Sequence, residues 1–220
     1  QKRKINHSSI ISEMDKTSKL FDVWANTGRS EDMEKGHGTT VNQFLDKLYL
    51  KENFRFLDIG CGNGWVVRKM SKKSSCIHAI GIDKSKMMIK NAKSKILSKK
   101  ESYFVTELES WDTTEKFDII FSMESLYYSV PMEFALKKVF KLLKKNGVFY
   151  CGTDFYSDNT LTTRWIKDMN VPMDLRSEKE WKMMFKNTGF NTRSKHVTDS
   201  KNKSKWKREF GTLFVIGRKP

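Results

Sequence analysis

The chain has 220 residues, of which 42 are Lys or Arg and 26 are Asp or Glu, for a formal net charge of +16 at pH 7. That length fits one domain with an appendage, and an apolar fraction of 38% fits a folded core under a very polar surface. No apolar run approaches the roughly 18 residues of a membrane span. The basic opening Gln1-Lys2-Arg3-Lys4 leads into no long apolar segment, so no signal peptide is expected and the expected compartment is the cytoplasm. Cys61, Cys76 and Cys151 are odd in number and far apart, without C-x-x-C or a histidine at ligand spacing, so reduced thiols and no metal site are expected.

Residues 1–53 read as a mostly helical N-terminal appendage. Leu20 and Trp24 share one helix face, and Val41, Phe44, Leu45 and Leu48 mark a second helix by their spacing. Between them, Thr27 to Gly38 is polar and holds three glycines, which predicts a loop with hinges. From residue 54 to 220, apolar strands and helices alternate, the pattern of a parallel α/β sheet. Strands are expected at 54–59, 77–82, 102–106, 117–122 and 148–151. Helices are expected at 63–72 and 84–99, the second with Met88, Ala92 and Ile96 inward. A further helix carries Leu136, Val139, Phe140 and Leu143 and stops at Asn146-Gly147. A helix at 178–187 and two paired strands near 192–198 and 211–217 close the chain.

The basic residues are dense in two places. Lys84, Lys86, Lys90, Lys93, Lys95, Lys99 and Lys100 read as the wet side of a helix. Arg193, Lys195, Lys201, Lys203, Lys205, Lys207 and Arg208, with Trp206 among them, read as a solvated hairpin loop or a nucleic-acid surface.

The most informative segment is Phe56-Leu57-Asp58-Ile59-Gly60-Cys61-Gly62-Asn63-Gly64, a strand running into D-x-G-x-G-x-G. Asp83 ends the next strand, 25 residues after Asp58. Alternating glycines let the backbone turn sharply and let a ligand approach it. An acidic residue at the tip of the neighbouring parallel strand is placed to grip ribose hydroxyls. A dinucleotide fingerprint would put its third glycine at position 65, which is Trp65. Asp58, just before the loop, repels a pyrophosphate and suits a cation. On these residues the chain resembles the class I S-adenosylmethionine (SAM)-dependent methyltransferases, with LDIGCGNG similar to their first motif. The segments WANTGRSEDMEKGH, SMESLYYS and VPMDLRSEKEW resemble a microbial, small-molecule type of these enzymes.

The resemblance implies a Rossmann-like fold, with a seven-stranded, mostly parallel sheet ending in an antiparallel hairpin, and with residues 1–53 as a helical cap. It implies SAM as cofactor and S-adenosylhomocysteine as product. Gly60, Cys61, Gly62, Asn63 and Gly64 would carry the amino-acid end of SAM, with Asp58 organising the loop or the ammonium. Asp83, with Lys84 beside it, would take the ribose, Glu107 and Leu108 the adenine, and Ser122 and Met123 would lie beside the sulfonium. His37, Glu124 and Tyr128 are the candidates for a general base. Trp24, Arg29, Tyr127, Tyr156 and Trp165 are expected at the acceptor, with the cap over the sulfonium facing the tyrosines.

After the fourth strand the chain reads Ser-Met-Glu-Ser and lacks both [DN]-P-P-[YFW] and a nucleophilic cysteine. Two common routes of base methylation are therefore disfavoured. The expected partner is a small-molecule acceptor, with no membrane and no metal. The alternatives are an RNA methyltransferase using the basic surface and a SAM-binding partner subunit without catalysis.

Overall fold

The computed structural model describes residues 7–220, so the basic opening Gln1–Lys4 lies outside the described residues. Seven strands form one sheet: β1 (Phe54–Ile59), β2 (Cys76–Asp83), β3 (Glu101–Val105), β4 (Phe117–Met123), β5 (Leu143–Thr153), β6 (Asn191–Val197) and β7 (Thr212–Arg218). Their order is β3-β2-β1-β4-β5-β7-β6, with β7 alone antiparallel to its neighbours. The chain leaves β1 toward β2 and β3 on one side and returns through β4 on the other. The switch point therefore lies at the C-terminal tips of β1 and β4, where ligands bind in open α/β sheets.

Strand side chains alternate between two cores. Phe54 and Phe56 join Val41, Phe44, Val66 and Met70 on one face. Leu57 and Ile59 join Leu136, Val139, Phe149 and Trp181 on the other. Helices α3 (Trp65–Ser71), α4 (Lys86–Ser94), α5 (Met132–Leu142), α6 (Trp165–Met169), α7 (Glu178–Thr188) and α8 (Lys205–Glu209) connect the strands. Helix α7 carries a full capping box between Ser177 and Glu180 and stops at Gly189 in the left-handed conformation.

Two N-terminal helices, α1 (His7–Asn26) and α2 (Arg29–Leu45), pack against this frame. The Asp22 carboxylate accepts from the Ser85 hydroxyl and the Met87 N–H, and Asn91 Nδ2 donates to the Ala25 carbonyl, which fastens α1 to the start of α4. Phe44 of α2 stacks on Phe214 of β7 with ring centroids 3.9 Å apart.

The structure corrects the sequence reading in four places. Residues 29–38 are helix, not a hinged loop. The left-handed break is Gly28 alone (φ +77°), while Gly36 and Gly38 continue α2. Each costs about 1 kcal/mol relative to alanine, offset by burial of Thr40, Val41, Phe44 and Leu45 at the far end of the helix. Helix α4 stops at Ser94, and Ile96, beyond its end, is exposed. Helix α5 stops at Leu142, and Leu143 to Asn146 already belong to β5, where Leu143 pairs with Phe117. Lys207 is not on the wet side of a hairpin loop. It sits on the short helix α8 and is buried.

Candidate active site

Asp58 is buried one residue before the end of β1, and the chain then turns through Gly60, Gly62 and Gly64 at φ +68°, +52° and +79°. All three values are in the region that favours glycine. Packing makes the demand stricter at the outer two. A Cβ on Gly60 would lie 2.0 Å from Ser125 Oγ, and one on Gly64 would lie 2.6 Å from the Tyr103 ring. Asp83, at the tip of β2, braces this turn: Oδ2 accepts the Gly62 N–H at 3.0 Å and Oδ1 the Ser85 N–H at 2.8 Å.

A cavity of about 510 Å³ opens over these tips. Its floor holds Asp58, the glycine turn, Asp83, Lys84, Thr106, Glu107, Leu108 and Met123. Phe21 of α1 and Ser30, Met33, Glu34 and His37 of α2 line it from above, and Glu124 and Tyr128 line the end beyond β4. Burial pushes the Asp58 and Asp83 carboxyls above the usual range, Asp58 well above it with the Asp83 charge adding to the push. Among the described residues no donor is assigned to the Asp58 side chain, so nothing there offsets the burial that disfavours its charged form. Burial likewise raises Glu107 and lowers Lys84.

The far end is a connected polar network. Glu124 sits at φ +52° where β4 ends. Its Oε1 accepts the Asp154 N–H, and its Oε2 accepts the Tyr127 hydroxyl at 2.8 Å. Burial, with the Asp154 charge beside it, pushes Glu124 up to about 8. Asp154 is fully buried just past β5 and pairs with Lys207 Nζ at 2.6 Å, while the Lys207 charge holds the Asp154 carboxyl below its ordinary range. Lys207 Nζ also lies 3.1 Å from His37 Nδ1 and 3.3 Å from Thr212 Oγ1. Burial and the Lys207 charge push His37 down to about 4.

Several residues expected at the site are placed elsewhere. Ser122 is fully buried and outside the cavity wall. It points to the opposite face of β4 from Phe121 and Met123, as the two-residue period requires. Tyr127 is buried between Tyr128 and Phe155. Tyr156 points toward β6 and β7, its hydroxyl against the carbonyls of Phe210 and Gly211. The cap therefore faces Tyr128, whose ring meets Phe21 edge-on at 5.2 Å, and not Tyr127 or Tyr156. Trp165 stacks on Phe155 and meets Trp206 edge-on, and of residues 154–177 only Pro172 is in the wall. Trp24 packs with Met88 beneath the exposed Arg29 guanidinium, 4.1 Å from its ring, and neither Trp24 nor Arg29 lines the cavity. Among the described residues no group of three or more His, Cys, Asp or Glu could hold a metal ion, and no helix is long and apolar enough to cross a membrane.

The sequence reading missed Lys207 and Asp154. Lys207 was one cation among seven in a basic stretch. Asp154 carried a usable signal: it is the only acidic residue at the C-terminal tip of the fifth parallel strand.

Residues 30–195 match the model of the methyltransferase domain family. The chain belongs to that family. The Pelagibacter ubique ubiquinone biosynthesis O-methyltransferase is 36% identical over 104 residues, 46% of this chain and 42% of that protein. The chain spans about half the length, or less, of the curated relatives it matches first. Among solved structures, a Haloferax volcanii methyltransferase in complex with the Trm112 methyltransferase activator superposes with a TM-score of 0.85 at 24% identity, covering 91% of this chain and 97% of that one. The N-methyltransferase NodS from Bradyrhizobium japonicum, with S-adenosylhomocysteine bound, gives 0.63 at 19% identity over 85% and 87%. The methyltransferase domain thus has the Rossmann-like fold of the class I SAM-dependent enzymes, with the terminal β6–β7 hairpin.

Proposed function

We propose that the chain is a SAM-dependent methyltransferase acting on a small molecule. The observation that carries this reading is the single cavity that joins a glycine turn and two buried carboxylates to a half-enclosed polar end. SAM supplies a methyl carbon on a positively charged sulfur, which an acceptor lone pair attacks in line. The residues fit such a ligand. Asp58, which lacks a donor, accepts its ammonium or orders the loop around it. The Asp83 oxygens, each with a lone pair left over, accept the ribose hydroxyls. Glu107 and Leu108 border the adenine, and Met123 borders the sulfur. Gly60 to Gly64, with Cys61 and Asn63, bring backbone to the amino-acid end. Phe21, Met33 and His37 close the roof, which excludes water and fixes the acceptor against the methyl carbon.

The volume is within the usual range of roughly 300–1,000 Å³ for small-molecule sites. Of the seven cations in the stretch 193–208 only Lys207 is buried; Arg193, Lys195, Lys201, Lys203, Lys205 and Arg208 are exposed and keep an RNA surface as the second reading, which the partly enclosed cavity supports less well than a small molecule.

Calorimetry is expected to show SAM binding and no NAD binding. A cation beside Asp58 favours its ionised form, so SAM binding is expected to release protons and to tighten as pH rises. Heats measured in buffers of different ionisation enthalpy read that release. NAD binding without SAM binding defeats the proposal.

A protein partner is part of the same reading. Strand β3 is an outer strand, and Phe104 and Val105 on it, with Ile96 and Leu97 just before it, are 44–65% exposed. An open apolar edge is a template for an added strand. The similar Haloferax chain is half of a complex with an activator, and an activator of that type is proposed here. Co-expression with a Trm112-like protein should give a co-eluting complex that the pair Phe104→Lys and Val105→Lys disrupts. Free elution of the wild-type chain removes the proposal.

A further inference from the structure

We propose that Lys207 and Asp154 are positioning residues that fix His37 as a hydrogen-bond donor to the methyl acceptor, and that the acceptor is an oxygen anion, a carboxylate or an acidic hydroxyl. This rests on the reading of the cavity as the methyl-acceptor pocket.

An ammonium has three N–H donors and no acceptor. Lys207 Nζ is hydrogen-bonded to His37 Nδ1 at 3.1 Å and Thr212 Oγ1 at 3.3 Å and ion-paired with Asp154 Oδ2 at 2.6 Å. Thr212 in turn lies 2.7 Å from Asp154 Oδ1 and gives its proton there. The His37 Nδ1 lone pair is thus occupied by the ammonium. Asp154 Oδ2 is farther from that nitrogen, at 3.6 Å, and already holds Lys207. A neutral imidazole whose Nδ1 accepts must carry its proton on Nε2. Among the described residues nothing is assigned to Nε2, and His37 lines the cavity. The ring therefore offers an N–H to the pocket and has no free lone pair with which to take a proton.

The other groups at this end agree. Glu124, beyond β4, has both oxygens engaged by the Asp154 N–H and the Tyr127 O–H, and burial with Asp154 beside it disfavours its charged form. Tyr128 is held above its ordinary range by burial. Glu34, one turn before His37, is the opposing carboxylate in this wall, and its Oε2 accepts from Asn63 Nδ2. The buried Lys207 cation stands directly behind His37. An ammonium acceptor meets a like charge and a donor, and would need to lose a proton first. An oxygen anion meets a donor and a cation, and needs no base. Its lone pair forms the O–CH₃ bond, the S–CH₃ pair leaves with sulfur, and sulfonium and anion are both neutralised with no proton to remove.

Long-range proton–nitrogen correlation spectra of the ¹⁵N-labelled full chain read the tautomer directly, with His37→Gln assigning the signals. The expected result is a bare Nδ1 and a protonated Nε2 from pH 5 to 8, with a pKa near 4. Lys207→Met is expected to move the proton to Nδ1, facing Asp154, and to raise the pKa by about one unit or more. The wild-type spectrum decides the question even if that variant does not fold. A protonated Nδ1 in the wild type overturns the proposal.

The acceptor class is read with S-adenosylhomocysteine present, by adding benzoate or benzylamine and following the His37 Nε2 signal. Benzoate is expected to shift it more. An equal, reversed or absent response removes the anion assignment. Failure to bind S-adenosylhomocysteine or SAM defeats the methyltransferase reading instead, and the tautomer result stands apart from it.

Discussion

Asp83→Ala is expected to weaken SAM binding by about 2–3 kcal/mol, roughly 30- to 160-fold, while the chain stays folded. In the structure both Asp83 oxygens are fixed by backbone N–H groups of Gly62 and Ser85, which aims their remaining lone pairs at the cavity. Two losses then add. The ribose hydroxyls lose charged acceptors, and the glycine turn loses the brace on Gly62. Stability should change less, because the carboxylate is held against a desolvation cost that its removal relieves. Asp83→Asn separates charge from shape: its amide nitrogen must face one of the two N–H groups, so it should bind SAM nearly as poorly as the alanine variant. Glu107→Ala provides the contrast, with a smaller loss expected from a carboxyl only partly enclosed. Calorimetry on the three variants, with thermal unfolding as a check on folding, measures this. Normal binding by Asp83→Ala together with loss in Glu107→Ala would reverse the assignment of the two acidic residues.

What the sequence showed plainly was whatever one strand and its following turn determine by themselves. β1 spans the expected residues, and Asp58, Gly60, Gly62, Gly64 and Asp83 meet at one edge, because an apolar run, a left-handed turn and a parallel partner leave few arrangements. The residues that went astray depend on contacts from afar. Gly36 and Gly38 read locally as loop, yet packing of Phe44 on Phe214 holds the helix that contains them. Ser122 stands at the right end of β4 for a ligand, yet the two-residue period of the strand turns it to the face away from Met123. The aromatic residues Trp24, Tyr127, Tyr156 and Trp165 have the composition of a substrate pocket, but burial of large rings beneath the pocket satisfies the same composition. Lys207 is the sharpest case. Its partners come from α2, from β7 and from the segment after β5, and the two that make it a buried cation, Asp154 and His37, are far from it in sequence.

Removing one side of that buried pair should have the largest effect on stability. Asp154→Ala is expected to destabilise the fold by about 3–5 kcal/mol, the range for stranding a buried charge. Lys207 has a side chain 3% exposed, and after the change it keeps only His37 Nδ1 and Thr212 Oγ1 as acceptors, with no counter-charge. The backbone of Asp154 is not the weak point: its carbonyl still accepts from Asn159 Nδ2 and the Thr162 hydroxyl, and its N–H still meets Glu124. The double variant Asp154→Ala with Lys207→Met should recover much of the loss, because an apolar side chain of similar length needs no counter-ion. Urea unfolding of the two single variants and the double variant gives the coupling between the residues. A cost under about 1 kcal/mol for Asp154→Ala would mean that water or a rearranged side chain reaches Lys207. The titration of Glu124 supplies a second readout. Asp154 is the like charge that helps hold Glu124 up to about 8, so its removal should let Glu124 ionise at lower pH. Folding energy and the charge state of the acceptor end are then set by the same buried carboxylate.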